Sequence, residues 1–181
     1  MSDLNSIKTS NATLNKLRAA VLGANDGIVS TASVVMGVAG ATNQSSAIIT
    51  AGLAALVAGA LSMAVGEYVS VSSQRDAEKS NAKHDTDHDG EFTNPWAAAI
   101  ASFIAFTFGG LVPFVAVVTV PGESRIFFTV IAVTVALVVT GYGSAKVGNA
   151  SKTRAIARVV IGGLVAMAVT YFVGSLFGTI I

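Results

Sequence analysis

From Ala47 to Ser72 the chain reads AIITAGLAALVAGALSMAVGEYVSVS, and Glu67 is the one charged residue in that stretch. A helix needs roughly 20 consecutive apolar residues to cross a bilayer core, so the segment is long enough to span. Small residues dominate it, which lets neighbouring backbones approach closely in lipid. Beyond Ser72 the sequence turns polar through Gln74, Arg75 and Glu78 and can continue as a helix above the membrane.

Working outward, four more segments share this character. The first runs over 17–41 and is separated from the second, 47–72, by the turn-like Thr42-Asn43-Gln44-Ser45-Ser46. The others cover 95–118, 125–145 and 155–181, with a polar leader over 1–16 and a short linker over 73–94. Pro95 fits the first turn of the third span, where its missing N–H costs nothing. Pro113 should kink that span. Composition agrees: 12% of residues are charged, against roughly 25% in a soluble domain. Mean hydropathy is +0.69. No cysteine is present, which excludes disulfides and thiolate ligands and leaves oxygen, imidazole or thioether for any metal. The polar stretch Met1 to Thr13 carries no cleavable signal peptide. The net charge of +1 gives no field for nucleic acid. The fold class is therefore all-α: a polytopic membrane protein with five transmembrane helices.

Orientation follows from the cations. Lys8, Lys16, Arg18, Arg75, Lys79, Lys83, Lys146, Lys152, Arg154 and Arg158 fall in one set of loops, and Arg125 alone in the other. Positive loops stay cytoplasmic. The N-terminus is expected in the cytoplasm and the C-terminus on the far side. The odd span number shows no internal repeat, so two-fold symmetry would have to come from a homodimer. Gly52, Gly59 and Gly66, at seven-residue spacing, serve either such an interface or packing within the chain.

Of ten acidic residues, only Asp26 and Glu67 lie inside apolar segments. Each costs about 2.5–3.5 kcal/mol at a helix centre and reads as functional by default. Neither span carries a basic residue beside them. Counting from the expected cytoplasmic boundary, Asp26 lies roughly 10 Å deep and Glu67 roughly 9 Å, about the same level. Residues three and four apart share a face, so Asp26 continues through Ser30 and Ser33 to Met36. On the second span the face reads Met63, Glu67, Ser70, Gln74, Glu78. A thioether beside a carboxylate suits a borderline divalent transition metal better than Na⁺ or Ca²⁺. The plain alternatives stand beside this: methionine as core filler, serines bonded to their own helix backbone, and Asp26 protonated or bonded to Asn25.

At these residues the sequence resembles the vacuolar iron transporter family. The resemblance rests on Arg18 to Ser30 (RAAVLGANDGIVS), Leu61 to Arg75 (LSMAVGEYVSVSSQR) and Asn94-Pro95-Trp96. It implies a five-span dimer exporting cytosolic Fe²⁺, and Mn²⁺, in exchange for protons through a pathway at the dimer interface. Asp26, Met63 and Glu67 match its pathway residues, and Met36 is assigned only by its face. Many members insert a long glutamate-rich cytosolic helical domain between spans two and three. Only a short linker stands here, so the chain is either a short member or one that has lost the domain. The linker holds His84, Asp85, Asp87, His88 and Asp89. Asp85 to Gly90 matches the first half of a calcium loop, but Trp96 replaces the closing glutamate. His84 and His88 at i, i+4 could chelate, and a solvated acidic linker is the simpler alternative.

The sequence thus points to a metal ion/proton antiporter, not an enzyme, with no permanently bound cofactor. Fe²⁺ (Mn²⁺) and protons are its substrates, and the bilayer and a second copy its partners. A non-transporting structural or regulatory membrane protein is the rival reading. An intramembrane metalloenzyme would need histidines near the carboxylates, and both histidines lie in the linker. Short loops favour a bacterial cytoplasmic membrane, with the vacuolar membrane as the alternative.

Overall fold

The computed structural model describes residues 11–82, 92–120, 122 and 124–178. Its helices are α1 (Asn11–Ala41), α2 (Ser45–Ala82), α3 (Pro95–Thr119), α4 (Ser124–Val147) and α5 (Lys152–Gly178). All five are long and apolar enough to cross a membrane. α1 begins upstream of the expected span, and α2 runs unbroken through the polar turns after Ser72. The starts obey local rules: Asn94 Oδ1 accepts from the Ala97 N–H at 3.2 Å, and Pro95 fills the first position of α3. α3 continues as helix through Pro113, which is buried.

α1 is the hub. It packs on each of the other four helices, whereas among the described residues α2 packs along its length only on α1 and α3 and meets α4 just at its Ser45 end. Glycine explains how one helix serves so many partners. A Cβ at Gly27 would collide with the Phe106 backbone of α3, and one at Gly109 with Ala24 of α1. On α5, Gly174 and Gly178 lie against the backbones of Gly37 and Ala41. Such close approach is how helices associate in lipid, where the hydrophobic effect between them is absent. The largest apolar cluster joins Ile28, Ala32 and Met36 of α1 to Val133 and Leu137 of α4 and Met167 of α5. Outward faces are apolar instead of polar, as on Leu53, Val57, Leu61 and Val65 of α2.

Several threonine hydroxyls within the spans are satisfied locally. Thr107, Thr129, Thr134, Thr140 and Thr170 each donate to the carbonyl four residues back. Buried Arg125 closes the end of the bundle opposite the basic loops. Its Nε donates to the Val120 carbonyl at 3.1 Å and its guanidinium to Ser45 Oγ at 2.7 Å, joining the ends of α2, α3 and α4. At the other end Trp96 and Tyr68 pair their rings 4.9 Å apart, and Lys152 stands over the Tyr142 ring at 5.0 Å. Aromatic residues favour membrane–water boundaries.

The glycine stripe on α2 divides. A Cβ at Gly52 would press on Val35 and Phe114, and one at Gly59 would strike the Phe106 ring, so both pack within the chain. Gly66 alone of the three faces open space.

Candidate metal pathway

The register of the α1–α2 hairpin decides which side chains meet. Asn15 Nδ2 donates to Gln74 Oε1 at 2.9 Å, and Ala19 packs with Val71. Each step along α1 is matched by one step back along α2, which sets Asp26 opposite Met63. There a groove of ≈ 280 Å³ opens between the helices, lined by Asp26, Ser30, Val34, Ala55, Gly59, Ser62, Met63, Gly66 and Phe106. Gly59 leaves room for the Phe106 ring, which forms the groove floor. A carboxylate and a thioether therefore line one opening in otherwise apolar helices.

Three expectations change. Glu67 is not level with Asp26: the same register puts it opposite Leu22, about 6 Å nearer the basic end at 1.5 Å per residue. The boundary count assumed an entry point for each helix separately, whereas the contacts between α1 and α2 fix their relative offset. Glu67 is also not without a cation. Arg18 NH2 lies 3.6 Å from its Oε2, and the carboxylate is buried while the Arg18 side chain is 56% exposed. Finally, Met36 does not share the Asp26 face. The groove follows every fourth residue, Asp26, Ser30 and Val34, whereas stepping by three through Ser33 turns Met36 into the cluster with Val133, Leu137 and Met167.

Gln74 and Glu78 of the α2 stripe are bound into structure. Glu78 Oε2 accepts from the Thr93 N–H at 3.0 Å and from its hydroxyl at 3.1 Å, while Gln74 Nε2 donates to Glu78 Oε1. Ser30 Oγ donates to the Asp26 carbonyl at 2.6 Å, the local bond expected of a membrane serine. His84, Asp85, Asp87, His88 and Asp89 lie outside the described residues. Among the described residues no three histidine, aspartate or glutamate side chains converge as a metal cluster. Sequence reasoning named Arg18 and Gly59 for orientation and packing and left both, with Phe106, out of the candidate site; the hairpin register, had it been anchored on Asn15 and Gln74, carries the signal for Arg18.

Five spans about a central helix, with a carboxylate and a thioether in a groove, define a multi-pass integral membrane protein with a polar site at membrane depth. The chain belongs to the VIT family, whose model matches residues 17–89 and 81–175. It is 48% identical over 165 residues to vacuolar iron transporter homolog 2 of Arabidopsis thaliana, covering 90% of this chain and 84% of that protein. Homolog 1 of the same plant is 48% identical over 167 residues, with the same coverage. Vacuolar iron transporter homolog 2 of Oryza sativa subsp. japonica is 42% identical over 173 residues, 91% of this chain and 92% of its own. The aligned stretch makes up most of each relative's length.

Proposed function

We propose that the protein is a secondary transporter that moves Fe²⁺, and Mn²⁺, out of the cytosol in exchange for protons. The observation that carries this reading is Asp26 opposite Met63 across an open groove in apolar helices. A half-buried carboxylate among apolar helices calls for a partner of opposite charge, and the thioether beside it favours a transition ion over Mg²⁺. The relatives are named vacuolar iron transporter homologs, which supports iron as the ion. Their names weigh toward the vacuolar alternative over a bacterial cytoplasmic membrane.

Because one chain brings so few ligands, the reading includes a homodimer. The groove opens beside the exposed α2 face carrying Leu61, Val65 and Gly66, and a second copy there would complete the ligand sphere. Metal requires the deprotonated carboxylate, so affinity falls as pH falls. On an acidic far side protons displace the ion; at the neutral cytoplasmic side the carboxylates take another. The chain acts as a transporter and not as an enzyme, with the ion as its cargo.

The test is Fe²⁺ uptake into proteoliposomes under an imposed proton gradient, with Asp26→Asn and Met63→Ala alongside. Uptake that follows the gradient and disappears in Asp26→Asn supports the reading. A folded protein that moves no metal in either direction refutes it and favours a structural or regulatory role.

A further inference from the structure

The Arg18–Glu67 pair is unusual for an ion pair at a membrane boundary. Glu67 is 6% exposed, yet its Oε2 has no hydrogen-bond partner, and the 3.6 Å separation from Arg18 NH2 exceeds the roughly 2.7–2.9 Å of a charge-assisted hydrogen bond. Arg18 compensates the charge without bonding it. Its side chain stays 56% exposed and also lines the cleft between α1, α4 and α5, beside Leu17, Val21, Asn25 and Ser144. The guanidinium can therefore leave the carboxylate for water or for this cleft by rotating its own side chain. A buried carboxylate losing its partner is strongly destabilised unless another cation replaces it.

We propose that Arg18 is a tethered stand-in for the metal at Glu67. It holds the carboxylate's charge when no ion is bound and withdraws when a divalent ion arrives. This inference rests on the metal-transport reading and adds a selectivity device to it. Arg18 already supplies one positive charge and sacrifices no translational freedom to do so. A monovalent ion brings the same charge and gains nothing by displacing it. A divalent ion doubles the attraction to the carboxylate and displaces the tether. Glu67 lies about one turn nearer the basic end than Asp26, so the exchange filters ions before they reach the groove.

The experiment measures Mn²⁺ binding by calorimetry to the whole chain in detergent at pH 7.5, with manganese chloride as the probe. The set comprises wild type, Arg18→Gln, Arg18→Lys, Glu67→Gln and the double variant Arg18→Gln/Glu67→Gln. Removing the competing charge in Arg18→Gln should tighten Mn²⁺ binding roughly tenfold, equivalent to a competitor of about 1.4 kcal/mol. Na⁺ should now compete with Mn²⁺ in this variant where it did not in wild type. Arg18→Lys keeps the charge and should bind as wild type does. In the Glu67→Gln background, Arg18→Gln should have no further effect. Unchanged or weaker binding in Arg18→Gln overturns the proposal, as does equal tightening without Glu67 or a lysine variant that behaves like glutamine. Those outcomes leave the transport reading standing, whereas a wild type that binds no Mn²⁺ and moves no Fe²⁺ defeats both.

Discussion

Two sides of α1 follow opposite rules. Toward α3 and α5 it is sealed: Gly27, Gly37 and Ala41 meet the neighbouring helices backbone to backbone, with no room for a methyl group where Phe106, Gly174 and Gly178 approach. Toward α2 it is parted, and Asp26 and Ser30 look across a groove at Ser62 and Met63. The difference teaches how a short membrane chain supports a polar site. Close packing supplies the stability that the groove forgoes, because dispersion contacts and backbone proximity are what hold helices together in lipid.

The comparison can be broken hardest at the sealed side. Gly174→Leu would drive a side chain into the Gly37 backbone, and overpacking of this kind costs about 3 kcal/mol or more. The expected outcome is loss of monodisperse protein on gel filtration. On the parted side, Asp26→Asn should leave the fold intact while reducing proton-driven Fe²⁺ flux by at least ~100-fold, the upper end of the ~10–100-fold typical of losing a supporting group around a metal. Flux in liposomes and thermal unfolding in detergent separate the two effects. Replacing Arg125 with Met removes the tie between the ends of α2, α3 and α4 and should cost about 2 kcal/mol, read as a lower unfolding midpoint. Met63→Leu keeps the volume and removes the thioether. Fe²⁺ should then lose about tenfold of its advantage over Mg²⁺ in competition for uptake, with stability unchanged. The smallest effect belongs to Gly66→Ala, where the added methyl meets nothing within 4 Å. Stability of the single chain should move by less than about 0.5 kcal/mol. A loss of dimer in that variant would place Gly66 at the subunit contact.

The five helices were legible because hydropathy over some twenty residues is a strong, local signal. Asp26, Glu67 and Met63 could be singled out as candidates because a charge or thioether in such a run stands out without any knowledge of packing. What the sequence hid depends on how helices are offset and rotated against each other. A count from assumed membrane boundaries placed Glu67 level with Asp26, whereas the pairing of Asn15 with Gln74 moves it a turn away and brings Arg18 to it. A chain of three-residue steps drifted from Asp26 onto the far side of α1 and put Met36 among groove residues, when it belongs to the core with Leu137 and Met167. Gly52 and Gly59 read equally well as interface or interior, and only the Val35, Phe114 and Phe106 side chains opposite them decide for the interior.

The fastenings of α2 have a mechanical consequence. One end is fixed by the Arg125 bond to Ser45, the other by Gln74 to Asn15 and by Glu78 to Thr93. Between these anchors, among the described residues, the helix leans on α1 and α3. A rod clamped at both ends cannot swing like a gate; it bows, and it bows most at mid-length. In α2 the midpoint between Ser45 and Gln74 falls beside Gly59 and Ala60, about one turn from Met63, so a bow in the rod would be greatest next to the part that faces Asp26.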